Sequence, residues 1–137
     1  MKPTFFTDRD LGKSVPAALR AAGISVEAHA QHFAHDTPDE EWIAAIAAQG
    51  WVAVTHDGRI RYKPNEKQAV LDAGLALIVL VGKARHAELS ENFVRSISRI
   101  EAFLEREAPP LIAKLYRPTP LELERNPEAP GRIERWV

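Results

Sequence analysis

The chain has 137 residues, 45% of them hydrophobic and 27% charged, enough for one compact core and too few for two comfortable domains. Lys and Arg number 18 against 19 Asp and Glu, a formal net charge of -1, so no global positive field draws the chain to nucleic acid or to an acidic membrane, and any basic surface is local. The absence of cysteine excludes a disulfide framework, a thiolate nucleophile and a Cys-based zinc site. The longest apolar run, Leu75 to Val81, falls well short of the ~20 residues that span a bilayer. The N-terminus reaches Asp8 without the apolar stretch of a secretory signal. A soluble cytoplasmic protein with no membrane partner is expected.

Thr4 to Thr7, β-branched and aromatic after a proline, predicts a short strand that runs out into Asp8. Leu11, Val15, Leu19 and Ala22 recur at helical spacing and predict a helix stopped by Gly23, with Pro16 tolerated in its first turn. Ile24 to Ala28 has strand length and the polar stretch Gln31 to Thr37 predicts a surface loop. Thr37-Pro38-Asp39-Glu40-Glu41 has the marks of a helix start: a capping hydroxyl, a proline at the first position and three acids in the first turn. That helix should run through Trp42, Ile43 and Ile46 to Gly50. Trp51 to Thr55 predicts another buried strand, again ending at an acid, in His56-Asp57-Gly58. The basic stretch Arg59 to Lys67 leads to a short helix around Glu66 to Asp72. Leu75 to Val81 is continuously apolar, the habit of a central parallel strand covered on both faces. From about Glu88 to Arg106, Leu89, Phe93, Ile97, Ile100 and Leu104 form one stripe of a long helix that ends before Pro109-Pro110, a stripe suited to the core or to a dimer face.

Alternating strands and helices predict an α/β fold, a three-layer α/β/α sandwich with a mainly parallel central sheet. The domain should occupy residues 1–116, with 117–137 a Pro-rich tail that forms an edge hairpin or an interaction arm. Sites in such folds lie beyond the carboxyl ends of the strands. Asp8 and Asp57 each close a strand, and Asp39 opens a helix whose N-terminus lies at the same edge. Carboxylates separated by 31 and 18 residues are thereby expected to converge. Such a cluster repels itself and should bind protons or a cation, and hard oxygen donors suit Mg2+ or Mn2+. Metal-assisted phosphodiester hydrolysis is the chemistry that follows. The bland alternative is that Asp39 serves the helix dipole and that Asp8 and Asp57 make turn hydrogen bonds.

The motifs Phe5-Phe6-Thr7-Asp8-Arg9-Asp10-Leu11-Gly12, Asp39-Glu40-Glu41-Trp42-Ile43 and Val54-Thr55-His56-Asp57, in that order and spacing, resemble a PIN-like domain, and in particular the VapC-like subgroup of toxin–antitoxin ribonucleases. The resemblance spans about Thr4 to Tyr116. It implies a parallel α/β/α sandwich and Mg2+- or Mn2+-dependent cleavage of single-stranded RNA. It makes Asp8, Asp39 and Asp57 the catalytic, metal-binding acids and Thr55 the hydroxyl that steadies the last of them. Larger PIN domains commonly present a fourth acid, for which no counterpart stands out here; Asp10 and Glu40 are the nearest spare carboxylates in support. A cognate antitoxin protein and a homodimer are implied by the same resemblance.

Arg9, Lys13, Arg59 and Arg61, with Lys63, flank the acids and offer a basic rim for RNA phosphates, with Tyr62 placed to stack on a base or to close the loop. His29, His32 and His35 recur every third residue, but at a strand-to-loop transition that spacing does not gather side chains for zinc. His56, beside Asp57, fits a turn residue better than a proton carrier. Gly12-Lys13-Ser14 lacks the upstream glycine of a phosphate-binding loop. Two other functions are compatible with acids at this edge. One is a receiver-like phospho-acceptor domain using Asp8, Asp10 and Asp57, for which Lys83, following the fourth strand, comes too early. The other is a catalytically silent PIN-like interaction module acting through its tail or helix surface.

Overall fold

A computed structural model of the chain describes residues 2–56 and 63–137. β1 (Phe5–Thr7), β3 (Val52–Thr55) and β4 (Ala76–Leu80) are buried at every position, as their unbroken apolar runs require of strands covered on both faces. With β2 (Val26–Ala28), β5 (Leu111–Tyr116) and β6 (Arg132–Arg135) they form one sheet in the order β2-β1-β3-β4-β5-β6, parallel except for β6, which runs antiparallel to β5. The domain is thus the expected α/β sandwich. The residues after Tyr116 return to the same sheet through a short helix, α7 (Pro120–Arg125), with Thr119 and Glu122 as a reciprocal capping box.

Alternation along the strands divides the core. Phe5, Val52, Val54, Ala76, Ile78, Leu111 and Ala113 face one side with α1 (Ser14–Ala21), α5 (His86–Arg95) and α6 (Ile97–Arg106). Phe6, Ala53, Leu77, Val79 and Ile112 face the other with α3 (Asp39–Gln49) and α4 (Pro64–Ala73). A single turn of helix, α2 (His29–His32), follows β2. The crossovers from β2 to β3 and from β3 to β4 pass over the α3/α4 face, whereas β4 to β5, advancing in the same direction along the sheet, passes over the other. That last crossover therefore has the opposite hand, an exception to a strong rule for parallel connections. Its consequence is that α5 lies beside α1, with Phe93 edge-on to Phe5 at 5.1 Å, and brings His86 to the end of β1.

Several expectations shift. The long helix divides at Ser96 into α5 and α6. Ser96 is fully buried and its hydroxyl accepts from the Gly131 N–H at 2.7 Å, a tertiary bond that fixes the bend between them. Leu89, Phe93 and Ile100 of the apolar stripe are buried in the core, with Ile97 and Leu104 packed against it. Leu111–Tyr116 forms a fifth parallel strand that the hydrophobic pattern left unassigned. The N-cap of α3 is Pro38 and not Thr37, whose hydroxyl makes no cap; the Thr37 carbonyl instead accepts from Arg9. The first helix is shorter than its pattern, because a 3-10 turn at Arg9–Leu11 precedes α1 and Gly12, at φ +59, redirects the chain between them.

Candidate active site

The chain moves from β1 outward to β2 and then back past β1 to β3, so the strand order reverses at β1, and side chains beyond the carboxyl ends of β1 and β3 share a crevice. Asp8 ends β1 and caps the 3-10 turn, its Oδ1 accepting the Arg9 N–H at 2.7 Å. Its own N–H donates to Val54 of β3 at 3.0 Å, which pins the turn to the neighbouring strand. The Thr55 hydroxyl lies 3.2 Å from Asp8 Oδ2 and 3.2 Å from Asp10 Oδ2, and Asp10 also accepts the His56 N–H at 2.9 Å. One hydroxyl has a single hydrogen to give, so two carboxylates on it are served together when one of them carries a proton. The electrostatics agree. Burial, then the neighbouring Asp10 charge, push the Asp8 carboxyl up from 3.8 to about 6, against the lowering effect of the Arg9 N–H. His86 braces the turn from α5, with Nε2 3.0 Å from the Asp10 carbonyl and Nδ1 3.3 Å from Ser14 Oγ.

Asp39, in the first turn of α3, lies across the crevice. Its Oδ1 accepts from the Trp42 indole N–H at 2.8 Å and from the Arg9 guanidinium. The indole is held by an aromatic cluster, stacked on Phe6 at 5.4 Å, so one turn of α3 both fills the core and orients the acid. Glu66, in the first turn of α4, shares a hydrogen bond with Asp39. Burial, that bond and the Asp39 charge raise its carboxyl from 4.5 to about 7, while Lys63, 3.4 Å away, opposes the rise. Glu66 is the acid that sequence reasoning missed. Its one signal is an acid two residues after Pro64 in a helix first turn, a placement that the helix dipole explains equally well.

Of the predicted residues, Asp8, Asp10, Asp39 and Thr55 come to this edge together. The Thr55 hydroxyl lies against Asp8 and Asp10, while the role the resemblance gives it toward Asp57 falls outside the described residues. Glu40 is exposed on α3 and Lys13 exposed beside the 3-10 turn. Arg9, expected on RNA, turns inward: it donates to the carbonyls of His35 at 2.6 Å and Thr37 at 3.0 Å as well as to Asp39. Asp57, Arg59, Arg61 and Tyr62 lie outside the described residues. His29 is buried among Phe6, Phe33 and Trp42 with no hydrogen-bond partner for either ring nitrogen among the described residues, and burial lowers its pKa. His32 instead faces Glu27 at 3.4 Å, and His35 contributes its carbonyl to Arg9. His56 Nε2 lies 2.6 Å from the Gly82 carbonyl, tying the end of β3 to the turn after β4. Among the described residues no group of three or more His, Asp or Glu is arranged to hold a metal ion.

A family model described as "PIN like domain" matches residues 3–82, which carry β1 through β4 and every described acid of the crevice. The chain belongs to the PIN-like domain family. No curated protein and no solved structure matches it. PIN domains are generally nucleases and typically use divalent metals. Among the described residues no helix is long and apolar enough to cross a membrane.

Proposed function

We propose that this PIN-like chain is a Mg2+- or Mn2+-dependent endoribonuclease that cleaves single-stranded RNA, and that it acts as the toxin of a toxin–antitoxin pair. The observation that carries it is the pair of carboxyls, Asp8 and Asp10, gathered on the Thr55 hydroxyl at the crevice of the sheet, with Asp8 driven up to about 6 by burial and by its neighbour. Carboxyls held this close retain protons unless a cation replaces them.

The donor chemistry fits a hard divalent ion, which prefers carboxylate oxygens and keeps several waters. Asp8, Asp39 and Asp57 would hold it, with Asp10, Glu66 and Thr55 in support and exposed Glu40 at the margin. When bound, it activates water and offsets charge on the leaving oxygen. The chain's own residues do the rest. Thr55 and the His56 N–H fix the Asp10 carboxylate, Trp42 orients Asp39, and His86 holds the turn that presents Asp8 and Asp10. Water attacks directly and no covalent intermediate on the chain is needed.

RNA phosphates fall to Lys13, Arg59 and Arg61. Exposed Lys83 and Arg85, after β4 at the same edge, extend that rim. An antitoxin that placed a basic side chain among the carboxylates would neutralise them and exclude the metal, and a homodimer is the expected assembly.

The test is cleavage of a single-stranded RNA by purified, antitoxin-free protein with and without Mn2+ or Mg2+. Divalent-dependent cleavage that falls to background in Asp8→Asn and Asp57→Asn is expected; no cleavage under either ion removes the enzymatic reading. The engagement of Asp39 by Arg9 favours a second reading, the silent interaction module, which metal binding without cleavage would support. A phospho-acceptor function gains nothing, since the lysine of β5, Lys114, lies over the Trp136 ring at 5.3 Å.

A further inference from the structure

Two-ion phosphodiester hydrolases use a second cation to offset charge that the first leaves uncompensated. In this crevice a side chain already stands between two of the acids. The Arg9 guanidinium is bonded to Asp39, and its Nε lies 3.7 Å from Asp8 Oδ1. It is not a loose surface cation: it is 26% exposed, and Nη1 is tied to the His35 and Thr37 carbonyls at 2.6 and 3.0 Å. Those carbonyls belong to the segment leading into α3, so the segment that presents Asp39 also clamps the guanidinium against it. The planar fork meets three oxygens at once, a geometry an ammonium cannot reproduce. The Asp39 oxygen it uses is shared with the Trp42 indole, which leaves that oxygen little capacity for another partner.

We propose that Arg9 is a built-in cation standing in place of a second divalent ion, so that the site takes one Mg2+ or Mn2+ per chain. The proposal rests on the metal-dependent reading above and assigns to it both a stoichiometry and a positioning residue. Arg9 holds Asp39 toward Asp8 with a permanent charge, and the crevice needs one ion where its acid count would suggest two.

The experiment is a Mn2+ titration of the metal-free, RNA-free protein by calorimetry, with ion counting by native mass spectrometry and folding followed by circular dichroism. Wild type, Arg9→Gln, Arg9→Met and the double variant Arg9→Gln/Asp39→Asn are compared. One ion on wild type, two on folded Arg9→Gln or Arg9→Met, and one again on the double variant is the expected result. Two ions on wild type overturn the proposal whether or not either Arg9 variant folds. One ion on wild type and still one on a folded Arg9 variant overturns it while leaving metal dependence standing. No ion on any of the proteins overturns it together with metal dependence.

Discussion

Two polar assemblies, one buried at a helix junction and one partly exposed at the crevice, are built on opposite terms. At the junction of α5 and α6, Ser96 and Asn92 meet the returning tail: the Gly131 N–H donates to Ser96 Oγ at 2.7 Å, the Ser96 hydroxyl lies 3.4 Å from Asn92 Oδ1, Asn92 Nδ2 donates to the Tyr116 carbonyl at 3.4 Å, and Arg99 donates to the Gly131 carbonyl at 3.0 Å. Donors there match acceptors within a largely uncharged network, which is what lets polar groups be buried without penalty. At the crevice, Asp8, Asp10, Asp39 and Glu66 crowd together, and among the described residues the charges of Arg9 and Lys63 do not suffice to keep Asp8 and Glu66 in the usual carboxylate range. The first assembly is complete within the chain. In the second, Asp8 and Glu66 are pushed toward their protonated forms, and a cation would compete with those protons. The first assembly contributes to stability through matched hydrogen bonds, and the second is the one to which the proposed chemistry is assigned.

The largest effect should come from breaking the satisfied network. A Cβ on Gly131 would meet the Tyr116 carbonyl oxygen at 2.1 Å, a clash with backbone that no rotamer relieves. Gly131→Ala should cost about 3 kcal/mol or more, by the overpacking and strain mechanisms that produce the large mutational values. Urea denaturation measures it, and RNA cleavage per folded molecule should stay unchanged. A loss of under ~1 kcal/mol, within the range of ordinary surface substitutions, would show that the tail is not locked at this junction.

The crevice responds to pH in the other sense. With its folded pKa raised from 3.8 to about 6, Asp8 keeps its proton in the folded state at pH values where the unfolded chain has lost it. Glu66, raised from 4.5 to about 7, behaves alike. Stability from these two groups is complete below their unfolded values and is lost as pH rises through their folded ones, about pH 4 to 7. His29, lowered by burial, works the opposite way: below about 6.5 the unfolded chain binds its proton better, so acid costs stability there. Asp8→Asn should remove a loss of roughly 2 to 3 kcal/mol between pH 4 and 6, the equivalent of its two-unit shift. It should melt higher than wild type at pH 7 while losing cleavage. A metal-free wild type whose stability across pH 4 to 7 matches that of Asp8→Asn would show that the acids are not crowded.

How much of this was legible depended on whether the cause lay near the effect in the chain. Strand after strand ending in an acid is a local pattern, and the placing of Asp8 and Asp39 at one edge followed from it because the α/β alternation dictates which ends share an edge; Thr55 entered only through the family resemblance. Asp10 gained its place from Thr55 and His56, 45 and 46 residues on, which no periodicity encodes. Arg9 read as an RNA ligand because a charge next to an acid says nothing of which way it turns; its acceptors are 26 to 30 residues away. The break at Ser96 was invisible for the same reason, its partner lying at Gly131. The stripe on α5 and α6 showed that the helices are amphipathic, but not which face of the sheet they cover. The opposite-handed crossover, which delivers His86 to the site, therefore had no signature.

The smallest expected effect tests how the crevice borrows its order from the core. Trp42 is fully embedded, yet its one polar atom donates to Asp39, the acid that Arg9 also holds. Trp42→Phe retains an aromatic ring against Phe6 while removing that donor, and a single hydrogen bond to a charged group is worth about 1.5–3 kcal/mol at most. Against this stands relief, because Asp39 left with one partner fewer turns more readily toward another cation. The expected outcome is a modest loss of stability in metal-free protein that narrows when Mn2+ is added, read by thermal melting with and without the ion. A loss of the same size under both conditions would mean that the indole serves packing alone, and that the orientation of Asp39 is set by Arg9 without help from the core.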